Sequence, residues 1–361
     1  MNHQSWTGFT DARFGYGAML KGFLDHSPAG VRQSQKASVQ VYMGVPVAWK
    51  GWWDGQHRVL FTMWETTELP SSFKRYLPLF DQVLVPCEHN RKVFAEHHQN
   101  VSVVPLGVDT GFWTPQPRST NPVFRIHAAG SLWRRKGLDA LVDAFVASKL
   151  DAELHIKAAP HALDVPDRMP DRVFLHRQWM SIEEQRDWFN QSDVFVAPSR
   201  GEGFGLIPLQ AIALGVPTIV TATSGQAQFA HLATTVCRHR SHRSDSIGYW
   251  DEPDRQHLAS LLVNAFENRQ EWRDKALALA PQADQFTWDK AVDALLRAVP
   301  EGRLLKDPGW EGAMVETRVV ALRDVRADIG NKRWVLRKGE ETMIPDGVYQ
   351  VLYDNGAVQM V

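Results

Sequence analysis

The sequence predicts an α/β protein made of two Rossmann-like domains with a small β module at the end, on three observations. Residues 194–221, VFVAPSRGEGFGLIPLQAIALGVPTIVT, pass from a short apolar run through three glycines into helical spacing and back to an apolar run. That is the order strand, turn, helix, strand of a parallel α/β unit. The same order recurs from Val123 to Phe145. The chain has 361 residues, 44% hydrophobic and 22% charged, which is enough for two domains with an appendage.

Composition narrows the function classes. The net charge is −1, so the chain lacks the global electrostatic footprint of a nucleic-acid binder, although a local basic face is compatible with it. Two cysteines, Cys87 and Cys237, suggest a reducing compartment and a cytoplasmic location (the host cytoplasm if the gene is viral). The opening MNHQSWTGFTDARFGYG has no apolar core of a signal peptide, and no apolar run approaches the length of a membrane span. Fourteen tryptophans are many for this length, and indole suits both cores and sugar- or base-binding sites.

In chain order, Ala18 to Leu24 is a candidate helix after Gly15-Tyr16-Gly17. Val39 to Met43 and Val59 to Thr62 have strand composition, and the loop Trp49-Lys50-Gly51-Trp52-Trp53 between them is either pinned to a core or in contact with an acceptor. The strand end Phe61-Thr62-Met63-Trp64 runs into Glu65-Thr66-Thr67, which aims polar groups at a crevice. Glu65 is the candidate acceptor-side carboxylate, with a solvated or capping glutamate as the alternative. Asp81 to Pro86 is a further strand, followed by a helix from Glu88. The prolines 115, 117 and 122 mark a hinge, which gives domains at 1–115 and 123–300.

The second domain opens with the strand Val123 to Ala129 and the turn Gly130-Ser131-Leu132-Trp133-Arg134-Arg135-Lys136-Gly137. Three cations at a helix N-terminus oppose the helix dipole, so an anion is expected to compensate them. Glu153 to Ala158 and Val173 to Leu175 are strands, and Gln178 and Trp179 stand just beyond the second. Ser181 with Glu184 forms a capping box. In 194–221, Gly201, Gly203 and Gly205 turn the backbone tightly, Pro208 suits the first helical turn, and Gly215 with Pro217 ends the helix. A helix N-terminus emerging from a glycine turn beyond a strand is an anion site. Glu202 in that turn would repel phosphate, so it is expected to accept hydrogen bonds from hydroxyls beside one. Phosphate beside a polyol describes a nucleotide sugar.

The run Glu202, Gly203-Phe204-Gly205-Leu206, Pro208 and Gln210 resembles the donor signature of the family 4 glycosyltransferases, with Gln210 where the family has a second glutamate. Pro105-Leu106-Gly107-Val108-Asp109 resembles the end of that family's first domain, and Phe286-Thr287-Trp288-Asp289 its closing helix. The resemblance implies the GT-B fold, two Rossmann-like domains facing a cleft, over residues 60 to 300. It implies donor binding by Gly15, Gly17, Ser131, Arg134, Arg135, Lys136, Gln178, Glu202, Phe204, Gly205, Leu206 and Gln210. Lys136 would neutralise the diphosphate, Glu202 would hold the sugar and Gln210 the ribose. Ser131 stands where relatives have an arginine, so Arg134 or Arg135 would supply that charge.

The implied reaction is retaining, metal-independent transfer from a nucleotide sugar such as a UDP- or GDP-sugar, with Glu202, Lys136 and Glu65 as the catalytic set and no further cofactor. The acceptor is open between hydroxymethylated pyrimidine in phage DNA and a glycan, lipid-linked sugar or small metabolite; a non-catalytic sugar-nucleotide binder is a further alternative. The basic run Arg238-His239-Arg240-Ser241-His242-Arg243 is expected to be a solvated loop or an acceptor contact. Residues 310–361 alternate like short strands (Val315 to Leu322, Arg333 to Leu336, Val348 to Tyr353) with turns at Lys338-Gly339-Glu340, Pro345-Asp346-Gly347 and Asp354-Asn355-Gly356. They loosely resemble β modules of phage-encoded proteins.

Overall fold

The computed structural model describes residues 3–13, 15–33, 37–46, 56–118, 122–160, 162, 165–166, 168–236, 238–243, 247–303, 316–321, 324–329, 332–345 and 358–360. The tryptophan-rich loop at 49–53, Cys237, the presumed strand at 348–353 and the turns at 346–347 and 354–356 lie outside the described residues. The chain divides into two compact units: residues 1–64, 68–107 and 288–361 form one, and residues 65–67 and 108–287 the other.

The first unit contains the strands β1 (Gln4–Gly8), β2 (Val31–Arg32), β3 (Val39–Met43), β4 (His57–Phe61), β5 (Gln82–Val85) and β6 (Val101–Val103). They form a parallel sheet in the order β2-β1-β3-β4-β5-β6. The helices α1 (Gly15–Asp25), α2 (Ser71–Tyr76) and α3 (Glu88–Ala95) connect them. β1 is a central strand that the sequence conceals, because QSWTG carries no apolar run. Gln4, Ser5 and Trp6 are buried there. The Gln4 amide donates to the Pro300 carbonyl and accepts from the Trp6 indole at 2.8 Å, so Gln4 is satisfied inside the core, whereas the buried Ser5 hydroxyl has no hydrogen-bond partner among the described residues. Phe23 gathers Trp6, Phe61 and Trp288 at ring distances of 5.9, 5.3 and 5.5 Å.

The second unit has a second parallel six-stranded sheet, of β7 (Phe124–Ala129), β8 (Ala152–Ala158), β9 (Val173–Arg177), β10 (Val194–Ala197), β11 (Thr218–Thr221) and β12 (Thr234–Val236). Its order is β12-β11-β10-β7-β8-β9. The helices α4 (Leu138–Ser148), α5 (Ile182–Asn190) and α6 (Leu206–Ala213) cross between strands. The run Arg238–Arg243 is not a loop: it is β13, paired antiparallel with β14 (Tyr249–Pro253). Two helices that the sequence did not announce, α7 (Arg255–Glu267) and α8 (Arg269–Leu279), follow, and α4 packs against α7. Thr223-Ser224-Gly225-Gln226 opens a short 3-10 turn.

The closing helix α9 (Trp288–Ala298) belongs to the first unit and buries Trp288, Ala291, Val292 and Leu295, one face at helical spacing. Gly22 of α1 lies against Trp288 so closely that a Cβ there would stand 2.4 Å from the indole. The terminal strands are β15 (Glu316–Ala321), β16 (Val325–Ile329), β17 (Lys332–Leu336), β18 (Glu341–Pro345) and β19 (Val358–Met360). β15 pairs antiparallel with β18 and β19, and β16 pairs with β17. The two parallel sheets are those of the GT-B fold.

Candidate active site

The topology of the second sheet chooses the site. The chain runs outward through β7, β8 and β9, returns to β10 beside β7, and runs outward the other way through β11 and β12. Strand order therefore reverses between β7 and β10, and the crevice beyond their carboxyl ends is where open parallel sheets bind ligands. The loops that leave those ends are 130–137 and 198–205, the basic turn and the glycine turn.

Backbone geometry locks the two loops together. Gly137, at the N-cap of α4, has φ +68°, and a Cβ there would stand 2.0 Å from the Pro198 carbonyl oxygen. Only glycine combines that left-handed conformation with that approach. Gly205, at the N-cap of α6, has φ +107°. No side chain caps α6, so its leading N–H groups point out of the glycine turn. Pro208 in its third position removes a donor that would be unsatisfied in any case. The Arg200 N–H donates to the Arg135 carbonyl at 2.8 Å, which ties the loops directly.

The side chains then form one charged cluster. Lys136 Nζ donates to Glu202 Oε1 at 2.6 Å, and the Ser199 hydroxyl donates to the same oxygen at 2.8 Å. Arg135 Nη1 stands 3.6 Å from Glu202 Oε2 and 3.6 Å from Glu65 Oε1, and donates to the Gly201 carbonyl at 3.0 Å. Glu65 groups with the second unit because Thr67 and Tyr249 exchange hydrogen bonds. A Cβ on Gly201 would stand 2.3 Å from the Glu65 carbonyl oxygen. Glu202 is buried, and burial alone would push its carboxyl up; Lys136 and Arg135 outweigh that and hold it below the ordinary carboxylate range. The anion expected from the helix-dipole argument is Glu202.

The remaining candidates take several places. Ser131 Oγ accepts the Ala159 N–H at 3.2 Å, so its hydroxyl closes the end of β8. The Arg134 carbonyl accepts from Arg200. The Phe204 ring is buried against Phe229 and Phe286 at 5.8 and 6.3 Å, and its main chain packs on Gly225, where a Cβ would stand 2.5 Å from the Phe204 nitrogen. Leu206 is the first residue of α6. Gln210 Oε1 accepts from Gln185 Nε2 at 3.0 Å, and Gln185 Oε1 accepts from Lys157 at 3.4 Å. Burial lowers the Lys157 pKa. Gln178 is exposed beyond β9. Gly15 and Gly17 lie in the first unit: nothing stands within 4 Å of a Cβ on Gly15, whereas one on Gly17 would meet the Asp11 carbonyl oxygen at 2.0 Å.

The sequence assigned no site role to Arg200, Ser199 or Ser224, although Ser224 lies in the turn Thr223-Ser224-Gly225-Gln226, which resembles the family's next glycine turn. Arg200 is 2% exposed and holds Asp139 through two bonds of 2.7 and 2.8 Å, and Glu252 through both oxygens. Burial alone would lower its pKa; Asp139 and Glu252 outweigh that and raise it, so it stays charged. Ser224, at φ +45°, accepts the Glu202 N–H at 2.8 Å. The one available signal for Arg200 was its place inside the glycine turn. Its partners come from α4 and β14, far away in sequence. Among the described residues no group of three or more His, Cys, Asp and Glu is placed to hold a metal, and no helix is long and apolar enough to cross a membrane.

Comparison with known proteins bears on the family and the fold. Residues 87–295, more than half of the chain, match the model of the Family 4 Glycosyltransferase in conflict systems. The D-inositol 3-phosphate glycosyltransferase of Paenarthrobacter aurescens is 28% identical over 222 residues, 56% of this chain and 52% of that one. The lipopolysaccharide core biosynthesis mannosyltransferase LpsB of Rhizobium meliloti is 60% identical over 53 residues, 15% of this chain and 14% of that one. The chain spans about half the length of the first curated relatives it matches. Among solved structures, Anabaena HepE in complex with UDP and glucose aligns at a TM-score of 0.56 and 13% identity, over 82% of this chain and 98% of that one, a likeness of fold. The partly buried Lys136–Glu202 pair thus stands at the switch point of a chain that belongs to the family 4 glycosyltransferases of conflict systems.

Proposed function

We propose that the chain transfers a glycosyl group from a nucleotide-sugar donor to an acceptor hydroxyl, with retention at the anomeric carbon and without a required metal. The observation that carries this reading is the 2.6 Å contact of Lys136 with Glu202, which joins the two rim loops at the switch point. The donor diphosphate lies against Lys136, Arg135 and the leading N–H groups of α6, where fixed positive charge stabilises the departing phosphate oxygens. Glu202, with Ser199 beside it, accepts from the sugar hydroxyls. The bond from the anomeric carbon to the diphosphate oxygen breaks, and its electron pair stays on that oxygen. The acceptor oxygen bonds to the same face of that carbon, and its proton passes to the departing phosphate oxygen. Glu65, close to Arg135, orients the acceptor. Gln210, Leu206 and the Phe204 main chain line the nucleotide side, with Ser131, Arg134 and Gln178 nearby. Gly15 and Gly17 are read as donor-binding on the family resemblance, and the domains are read as 1–115 and 123–300 with a β module at 310–361.

The acceptor is read as 5-hydroxymethylated pyrimidine in phage DNA. Support comes from the family's place in conflict systems and from the strand Arg238–Arg243. That strand pairs with β14, and β14 joins the segment of Glu65 through Tyr249 and Thr67. A small phosphorylated acceptor is the second reading, favoured by relatives named for D-inositol 3-phosphate. The test is to incubate the protein with a panel of UDP- and GDP-sugars, then to examine hydroxymethylated DNA and simple glycans by mass spectrometry. Mass gain on DNA supports the first reading and gain on a small acceptor the second; no turnover and no nucleotide binding would remove both.

A further inference from the structure

We propose that Arg200 is a positioning residue that fixes Lys136 against Glu202, and that its planar fork, beyond its charge, is what the site needs. This rests on the reading of Lys136 and Glu202 as the donor site.

Arg200 grips the basic turn on both sides of Lys136. Its side chain donates to the Arg134 carbonyl and to Asp139, and its N–H donates to the Arg135 carbonyl. It also holds β14: its carbonyl accepts the Asp251 N–H at 3.1 Å, and its Nη2 donates to Glu252 at 2.7 Å. Glu202 follows two residues later along the same loop. Shifting Lys136 relative to Glu202 therefore requires breaking charge-assisted bonds made by a side chain 2% exposed. Arg255 pairs with the same two carboxylates, at 2.7 Å to Glu252 and 3.4 Å to Asp139, from a side chain 41% exposed. Charge balance therefore survives at this node when Arg200 becomes lysine. What is lost is the fork, because one ammonium cannot make two bidentate pairs and a carbonyl bond together.

The groups that face Glu202 are Lys136, Arg135, Ser199 and Ser224, with Glu65 beyond Arg135. If Arg200 holds the cations in place, loosening it frees Glu202 to take up a proton at higher pH. The test uses the full chain as wild type, Arg200→Lys, Asp139→Asn and Glu252→Gln. Circular dichroism checks folding. The Glu202 carboxyl is titrated by carbon NMR, assigned by difference from Glu202→Gln. Donor hydrolysis is followed with UDP-glucose and GDP-mannose.

Folded Arg200→Lys should titrate about half a unit or more above wild type, and its kcat should fall ~10–100-fold while KM moves less. Asp139→Asn and Glu252→Gln should shift in the same direction by less. A folded Arg200→Lys with the wild-type midpoint overturns the proposal, whatever its melting temperature. Should Arg200→Lys fail to fold, unchanged midpoints in both carboxylate variants overturn it equally. If neither sugar nucleotide is hydrolysed by the wild type, the titration still decides the role of Arg200, and only the reading of function is damaged.

Discussion

The two units carry the same kind of parallel sheet, yet their glycine turns do different jobs. In the first unit the turn into α1 carries one ion pair at the surface, Arg13 with Asp11, and is otherwise held by neutral contacts. Gly17 packs on the Asp11 main chain, and the Tyr16 hydroxyl meets Thr62 at 3.0 Å and accepts the Met63 N–H at 3.1 Å. In the second unit, the turns into α4 and α6 are held by charge: Lys136, Arg135 and Arg200 against Glu202, Glu65, Asp139 and Glu252. Topology supplies a crevice, and the residues at its rim decide what it can bind. Charges taken out of water are costly unless paired, and here the buried Arg200 and Glu202 are both paired.

The largest expected effect would break this contrast outright. Glu202→Gln should lower donor hydrolysis or transfer by ~100-fold or more, while UDP affinity changes little, because the sugar contact is lost and the cations remain. Equal loss of nucleotide binding, measured by calorimetry, would place Glu202 on the wrong part of the donor. Next, Lys136→Ala should weaken UDP or GDP binding by about 10–100-fold; unaltered affinity would remove the diphosphate role.

A third pair of substitutions sharpens the comparison. Gly137→Ala meets both a positive φ and the Pro198 oxygen. It should cost on the order of 2 kcal/mol or more, and nucleotide affinity should fall with it. Gly22→Ala, which meets Trp288 in the first unit, should cost a similar amount yet leave the affinity of folded protein for UDP intact, so parallel losses in both variants would erase the distinction between the two units.

The smallest effect is acid sensitivity. His127 on β7 is buried, and burial together with His155 and Arg125 holds its pKa well below the ordinary value. The unfolded chain then binds a proton that the folded chain refuses. Stability is fully present above the ordinary histidine pKa and declines as pH falls below it, by up to ~1.4 kcal/mol per unit. Thermal unfolding between pH 7 and 5 should show this slope, and His127→Asn should flatten it; an identical slope in the variant assigns the effect elsewhere.

Much of the second unit was legible because its signals are local. The strand at 194–197, the glycine turn, the helix with Pro208 and the stop at Gly215 each follow from neighbouring residues, and all stand where expected. The capping box at Ser181 and Glu184 is another such signal. β1 was not legible, because its buried Gln4 is satisfied by a partner distant in sequence, the Pro300 carbonyl. β13 looked like a solvated run because five of its six residues are Arg or His; its pairing with β14 is a long-range fact. Phe204 sat within a ligand motif, but its ring joins an aromatic cluster with Phe229 and Phe286 that no spacing rule announces.

By itself the sequence determined the α/β alternation, the two glycine and basic turns, and the identity of Lys136 and Glu202 as the residues to watch. Propensity, glycine conformation and helix-end electrostatics act over a few residues, so they can be read along the chain. Only the tertiary structure decided that Lys136 and Glu202 touch, that Glu65 lies within reach of Arg135, and that Arg200 clamps the two turns together. The contacts of Lys136 with Glu202 and of Arg200 with the basic turn depend on the reversal of strand order between β7 and β10, which brings residues more than sixty positions apart to one edge.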